Sequence, residues 1–127
     1  MKKIIVADDS SIIVNIAKKA FENEYEVVGA FNGRDCIQII QKNDLNDVVG
    51  LLLDLNMPEV DGFAVLDFLK QNDMFTKLPT SIITGDDNME VIEKAFEYPI
   101  IDVLKKPFTM ESVRKIIEKT ISISSIQ

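Results

Sequence analysis

Val48-Val49-Gly50-Leu51-Leu52-Leu53-Asp54, residues 48–54, is the stretch that decides the fold. A strand with one wet face alternates apolar and polar residues, whereas a strand buried on both faces reads as a continuous apolar run. This run is continuous, so helices must cover it on both sides and it is a central strand of a parallel sheet. Its last residue is a carboxylate, at the end where the open edge of such a sheet gathers ligands.

Outward from that run, short β-rich segments alternate with helical patterns over the whole chain, the signature of βαβ units. Strands are expected at Lys3–Ala7, Glu26–Ala30, Val48–Leu53, Thr80–Ile83 and Ile100–Leu104. Helices are expected to start near Ser10, Gly33, Asp61, Asp87 and Thr109, where small polar or acidic residues can satisfy the free amides of a first turn. Right-handed crossovers leave few ways to connect these elements. The prediction is an α/β, flavodoxin-like (βα)5 fold: a five-stranded parallel doubly wound sheet of order 2-1-3-4-5.

In the first helix Ile13, Ile16, Ala17 and Ala20 share one face, which is expected to lie on the sheet, leaving Ile12 and Val14 to point elsewhere. In the last helix Val113, Ile116, Ile117 and Thr120 repeat the arrangement. The segment from Ser122 to Gln127 has little to fix it, so the domain is expected over 1–121 with a C-terminal tail over 122–127.

With 127 residues, 46% of them hydrophobic, the chain has enough apolar surface for one domain that folds alone. Its net charge of −7 argues against an extended phosphate-tracking surface, and no nucleic-acid contact is expected. Cys36 falls in an apolar helical pattern and there is no His to join it as a metal ligand or nucleophile, so it is read as an inert core thiol. Asp8 and Asp9 cut the first apolar stretch short of the ~7–15 residues of a signal-peptide core, and Val48–Leu53 is far below the ~18 that span a bilayer. A cytoplasmic chain with no membrane contact is the expectation.

Four strand endings then converge on one sheet edge: Asp8-Asp9, Asp54, Thr84 and Lys106-Pro107. Three carboxylates over an apolar floor repel one another, each pair by about 4 kcal/mol at 4 Å with an effective dielectric near 20. A hard, all-oxygen donor set without His or an available Cys selects Mg²⁺, with Mn²⁺ or Ca²⁺ as substitutes and Zn²⁺ disfavoured. Asp9 and Asp54 are expected to ligate it directly and Asp8 through water, with a backbone carbonyl from the following loop, that of Asn56, completing the protein's share. Phosphoryl transfer demands alignment and positive charge around the moving group. Mg²⁺ and Lys106 would supply the charge, Asp54 would be the nucleophile that forms an acyl phosphate, and Thr84 would donate its hydroxyl to a phosphoryl oxygen. Singly, each residue has a plainer reading: a helix cap at Asp8 or Asp9, loop chemistry after Asp54, a turn hydroxyl at Thr84, a surface lysine at Lys106. Their joint position at successive strand ends favours the site.

The motifs Val6-Ala7-Asp8-Asp9-Ser10, Leu52-Leu53-Asp54-Leu55-Asn56-Met57-Pro58 with Asp61-Gly62, Ile82-Ile83-Thr84-Gly85 and Lys106-Pro107-Phe108 resemble those of the receiver domain of two-component response regulators, and the likeness covers the whole chain. The resemblance implies that Asp54 is the phosphoacceptor, that Asp8 and Asp9 bind Mg²⁺, that Thr84 is the switch hydroxyl and that Lys106 contacts the phosphate. It implies a cis Lys106-Pro107 bond, and it puts Asn56 and Asp86 where the family tunes the lifetime of the phosphoryl group, an amide with an acid there pointing to quick hydrolysis. Two departures stand out. Val103 replaces the Tyr or Phe usual three residues before the lysine, and Pro99-Ile100 replaces the common Gly-Ala before the fifth strand.

The function expected is a phosphorylation-activated signalling switch, with phosphotransfer and autodephosphorylation at Asp54 catalysed by the domain itself and not a conventional enzyme. With no His donor and no G-x-x-x-x-G-K-[ST] loop for ATP, the chain needs a histidine kinase or histidine phosphotransfer protein as donor. Ile12 and Val14 are expected to help dock that donor, and the downstream protein target is unread. The alternatives are a small phosphatase with an aspartyl-phosphate intermediate, disfavoured by Asn56 where such enzymes place a second acid, and a receiver module of a longer transcription factor. A flavin-binding protein of similar topology is disfavoured by two carboxylates in place of a phosphate cradle after the first strand.

Overall fold

The computed structural model describes residues 1–57, 60–85 and 88–126, the last four by backbone alone. Five strands, β1 (Lys3–Ala7), β2 (Glu26–Ala30), β3 (Val48–Asp54), β4 (Thr80–Thr84) and β5 (Val103–Lys105), pair in parallel in the order β2-β1-β3-β4-β5. Five helices alternate with them: α1 (Ser11–Ala20), α2 (Gly33–Lys42), α3 (Gly62–Gln71), α4 (Met89–Ala95) and α5 (Met110–Ile126). The predicted fold and strand order are those observed. No helix among the described residues is long and apolar enough to cross a membrane.

The continuous apolar run of β3 has the expected cause. Leu51 and Leu53 pack with Ile5, Ala7 and Ile82 against α2 and α3, while Leu52 packs with Ile4, Val6 and Ile83 against α1 and α5. Burial of Val113, Ile116, Ile117 and Thr120 agrees with the predicted inner face of α5, whose backbone stays helical through Ile126. Deep in that interface the Thr120 and Ser81 hydroxyls lie 2.6 Å apart, so neither is left unsatisfied.

Helix starts follow local capping chemistry. Ser10, Asn32, Asp61 and Asn88 cap α1 to α4, each side-chain oxygen accepting a first-turn amide. The cap of α1 is thus Ser10 and neither Asp8 nor Asp9, which releases both carboxylates for other use. The start expected near Asp87 falls at Met89, with Asp87 itself outside the described residues.

Two expectations are corrected. Strand β5 begins at Val103 instead of Ile100, because the Ile100 amide turns back to the Tyr98 carbonyl at 2.8 Å directly after Pro99, which has no N–H to give the ladder. Val14 does not point to solvent: it is buried against β2, where Gly29 leaves it room, since a Cβ at that glycine would stand 2.8 Å from a Val14 methyl. Ile12 alone of that pair is exposed, at 63%.

One glycine holds two loops of the site edge together. The Gly33 amide donates to the Val60 carbonyl at 2.9 Å, and a Cβ at Gly33 would lie 2.1 Å from that same oxygen. The two nearest obstacles, the Val60 carbonyl oxygen and carbon, are backbone, so no side-chain rotation relieves the clash. Gly33→Ala is expected to destabilise the domain by about 3 kcal/mol in urea unfolding. Gly50→Ala, whose nearest neighbour is a Thr120 methyl at 3.4 Å, serves as the milder comparison. Equal midpoints for the two variants would contradict this account of the loop contact.

Candidate functional site

Sheet register brings the distant residues together. Ala7 pairs with Leu53, Asp54 with Ile83 and Thr84 with Lys105, so Asp8, Asp54, Thr84 and Lys106 step across one edge of four adjacent strands. Asp8, Asp54 and Thr84 are buried, Lys106 is half-buried, and Asp9 and Asn56 are exposed. One carboxylate oxygen from each of Asp8, Asp9 and Asp54 lies within 4.8 Å of the others. The Lys106 ammonium is 3.4 Å from Asp54 Oδ2 and 3.4 Å from Asp8 Oδ2.

The two buried carboxylates are held by the same local device. The Ser10 amide donates to Asp8 Oδ1 at 2.9 Å and the Asn56 amide to Asp54 Oδ1 at 3.0 Å, in each case from two residues downstream. Such Asx turns fix one oxygen and leave the other facing the cleft. These amides were absent from the sequence reading, although an Asp followed two residues later by a small polar residue is their usual signal. The Asn56 side-chain amide also reaches Thr84 Oγ1 at 3.5 Å, and the Lys106 amide donates to the Thr84 carbonyl at 2.8 Å. The Lys106-Pro107 peptide is cis. Asp86 lies outside the described residues, while a Cβ added at Gly85 would stand at ordinary contact distance, 3.6 Å, from the Lys106 stem.

Burial pushes the Asp8 carboxyl up to about 6, with the Asp54 charge adding to it and the Ser10 amide and Lys106 opposing it. Asp54 is raised for the same first reason, against the pull of Asn56 and Lys106. For Lys106, burial alone lowers the pKa, but attraction to Asp54 and Asp8 outweighs it and the ammonium is held more firmly. One lysine paired with Asp8 and Asp54 therefore stands beside a cluster of three carboxylates, and the edge is short of positive charge.

The donors present fit a hard divalent cation such as Mg²⁺. Asp8 Oδ2 is buried and, apart from the Lys106 ammonium at 3.4 Å, has no hydrogen-bond partner among the described residues, so it is an acceptor that a cation or its bound water can satisfy. Asp9 and Asp54 oxygens complete the acidic set. A pH dependence follows from the same geometry. In EDTA, the folded state binds a proton at Asp8 more tightly than the unfolded chain does, at about 6 against an ordinary 3.8, so this contribution to stability is full below about pH 4 and is lost as pH rises through 6. Between pH 5 and 7.5 the metal-free protein should lose about 1 to 2 kcal/mol. Mg²⁺ should flatten this slope and raise the melting temperature at pH 7.5 by a few degrees, about 3 to 6 °C at tenfold saturation. Thermal unfolding by circular dichroism at three pH values, with EDTA or Mg²⁺, measures both. Stability in EDTA that climbs from pH 5 to 7.5 would contradict the pKa direction.

The family model of the response regulator receiver domain matches residues 4–118. This chain belongs to that family. Among curated relatives, the transcriptional regulatory protein CrdR of Helicobacter pylori (strain ATCC 700392 / 26695) is 29% identical over 119 residues, 93% of this chain and 54% of that protein. The DNA-binding transcriptional regulator NtrC of Proteus hauseri is 28% identical over 117 residues, 92% of this chain and 24% of that protein. The chain thus spans between a quarter and about half of the length of these relatives. Among solved structures, the signal receiver domain of a putative Luxo repressor protein from Vibrio parahaemolyticus shares the fold, with a TM-score of 0.85, 22% identity and coverage of 98% of this chain and 93% of that one. Receiver domains are the signalling switches of two-component systems and not conventional enzymes. In this receiver domain the acidic triad, the lysine and the threonine share the edge where the family has its acidic pocket.

Proposed function

We propose that this receiver domain takes a phosphoryl group onto Asp54 from a phosphohistidine of a histidine kinase or histidine phosphotransfer protein, with Mg²⁺ held by Asp9 and Asp54 directly, Asp8 through water and the Asn56 carbonyl. The observation that supports it most is the placement of Asp54: a carboxylate with one oxygen held by the Asn56 amide and the other 3.4 Å from Lys106, beside two further acids. An Asp54 oxygen attacks phosphorus, the phosphorus–nitrogen bond of the donor breaks, and its electron pair stays on the imidazole nitrogen. The bound ion supplies charge neutralisation for the phosphoryl oxygens. Lys106 stays protonated throughout and aligns the carboxylate with the incoming group. The new negative charge draws the Thr84 hydroxyl and the Lys106 ammonium inward, and because the Lys106 amide is bonded to the Thr84 carbonyl, β4 and β5 shift together. Hydrolysis of the acyl phosphate, with Asn56 at its side, resets the domain.

Incubation with acetyl phosphate, with and without Mg²⁺, followed by intact mass, tests this reading. One added phosphoryl group that needs the metal is expected, and no gain in either sample overturns it.

Donor docking keeps only Ile12 of the two residues first considered, since Val14 is in the core. Ile12→Asp is expected to slow transfer from a cognate phosphohistidine by about tenfold while leaving acetyl phosphate uptake unchanged. Equal rates from both donors would remove Ile12 from the docking surface. The share of CrdR and NtrC that the chain spans favours a second proposal for its setting, as the input module of a longer transcriptional regulator. A single-domain product in an immunoblot of the native protein would exclude that setting.

A further inference from the structure

Helix α4 is short and buries only Ile92 and Ala95 among its residues, so the sheet holds it weakly. Its stronger tie runs through the segment that follows it to α3. Phe63, Asp67 and Lys70 stand at i, i+4 and i+7 of α3, one stripe of that helix, and all three meet Tyr98. The Tyr98 ring lies 6.4 Å from Phe63 and 6.4 Å from Phe75, the Lys70 ammonium is 5.8 Å from it, and its hydroxyl donates to Asp67 Oδ1. Lys94 of α4 adds an ammonium 4.4 Å over the Phe63 ring.

Three residues after Tyr98, from Ile101 onward, the chain is bonded step by step to β4. The Ile101 amide donates to the Thr80 carbonyl at 2.8 Å, the Asp102 carbonyl accepts from Ile82 at 2.9 Å, and Lys106 bonds Thr84 at 2.8 Å. A pull on Thr84 and Lys106 would therefore be carried along β5 toward Tyr98. We propose that Tyr98, latched to Asp67 on α3, sets how readily the α4–β5 segment moves. The raised Tyr98 pKa, at about 12 chiefly through the bond to Asp67, is consistent with a hydroxyl that stays a donor.

Hydrogen exchange by mass spectrometry over residues 88–102 tests the latch in the unphosphorylated protein. Tyr98→Phe keeps the ring and Asp67→Ala keeps the hydroxyl, and each should speed exchange there by about five- to tenfold without affecting residues 3–7 or 48–54. The double variant should exchange no faster than the quicker single one, because both lose the same bond. Unchanged exchange in the single variants, or multiplied effects in the double, would overturn the latch. Its link to signalling rests on the reading of Asp54 as phosphoacceptor. Wild-type protein shown by mass to be phosphorylated should exchange faster over 88–102, with a smaller further rise in Tyr98→Phe, and a phosphorylated protein with unaltered exchange would overturn that link. If the wild type takes up no phosphate, the Asp54 reading fails and the link with it, while the unphosphorylated comparison still decides the latch.

Discussion

Asp54→Asn should abolish phosphoryl uptake from any donor, a loss of at least about a thousandfold, and should also make the metal-free domain more stable. The first effect follows because a neutral amide has no carboxylate oxygen to attack phosphorus and gives the cation a poorer ligand. The second follows from the charge balance of the edge, where three carboxylates cluster and only the Lys106 ammonium, paired with Asp8 and Asp54, offsets them among the described residues. Asp54 is 1% exposed and its pKa is raised first by burial, so its negative charge is carried at a cost in the folded protein. Replacing it with an isosteric amide keeps the shape, retains the bond from the Asn56 amide and removes one member of a repelling set. In EDTA at pH 7.5 the gain should be about 1 to 2 kcal/mol, read from urea unfolding beside intact mass after acetyl phosphate treatment. A variant that is both inactive and less stable would mean that the carboxylates are not in net repulsion.

Lys106→Met carries the opposite sign in stability. Methionine keeps most of the lysine stem's volume and deletes the ammonium that lies 3.4 Å from both Asp8 and Asp54. Two buried carboxylates then lose their cation, which in metal-free protein should cost about 1 to 2 kcal/mol, the half-exposed position of the ammonium keeping the figure below that of a fully buried pair. Uptake from acetyl phosphate in saturating Mg²⁺ should slow by about a hundred- to a thousandfold, the usual effect of deleting one preorganised positive donor. Mg²⁺ itself should bind at least as tightly, since a competing cation has gone. A Lys106→Met protein that is phosphorylated at the wild-type rate would show that the ammonium acts on stability alone.

Asp54→Asn and Lys106→Met separate charge from architecture, and architecture was the more legible part. The unbroken run before Asp54 called for cover on two faces, and Leu51 and Leu53 do meet one core while Leu52 meets the other. Once parallel pairing was accepted, convergence of Asp8, Asp54, Thr84 and Lys106 followed from register alone, because each ends or follows a strand. Periodicity misjudged Val14, since a helix in a doubly wound fold touches both the sheet and its edge strand, and only Gly29 across the gap made space for it. Strand β5 was begun too early because Ile100 and Ile101 look like strand residues, while the turn imposed after Pro99 depends on a backbone bond that composition does not reveal. The tie between Tyr98 and Asp67 joins residues far apart in the chain and on no shared pattern, so it became visible only with the fold assembled.

The most direct test of the central claim is to treat the protein with acetyl phosphate, reduce it with borohydride and map the product by peptide mass spectrometry. Borohydride converts an aspartyl phosphate to homoserine and so marks the acceptor itself. The account predicts homoserine at position 54, in samples containing Mg²⁺ and not in those containing EDTA. Homoserine at another acidic residue, or at Asp54 to the same extent without the metal, would contradict it.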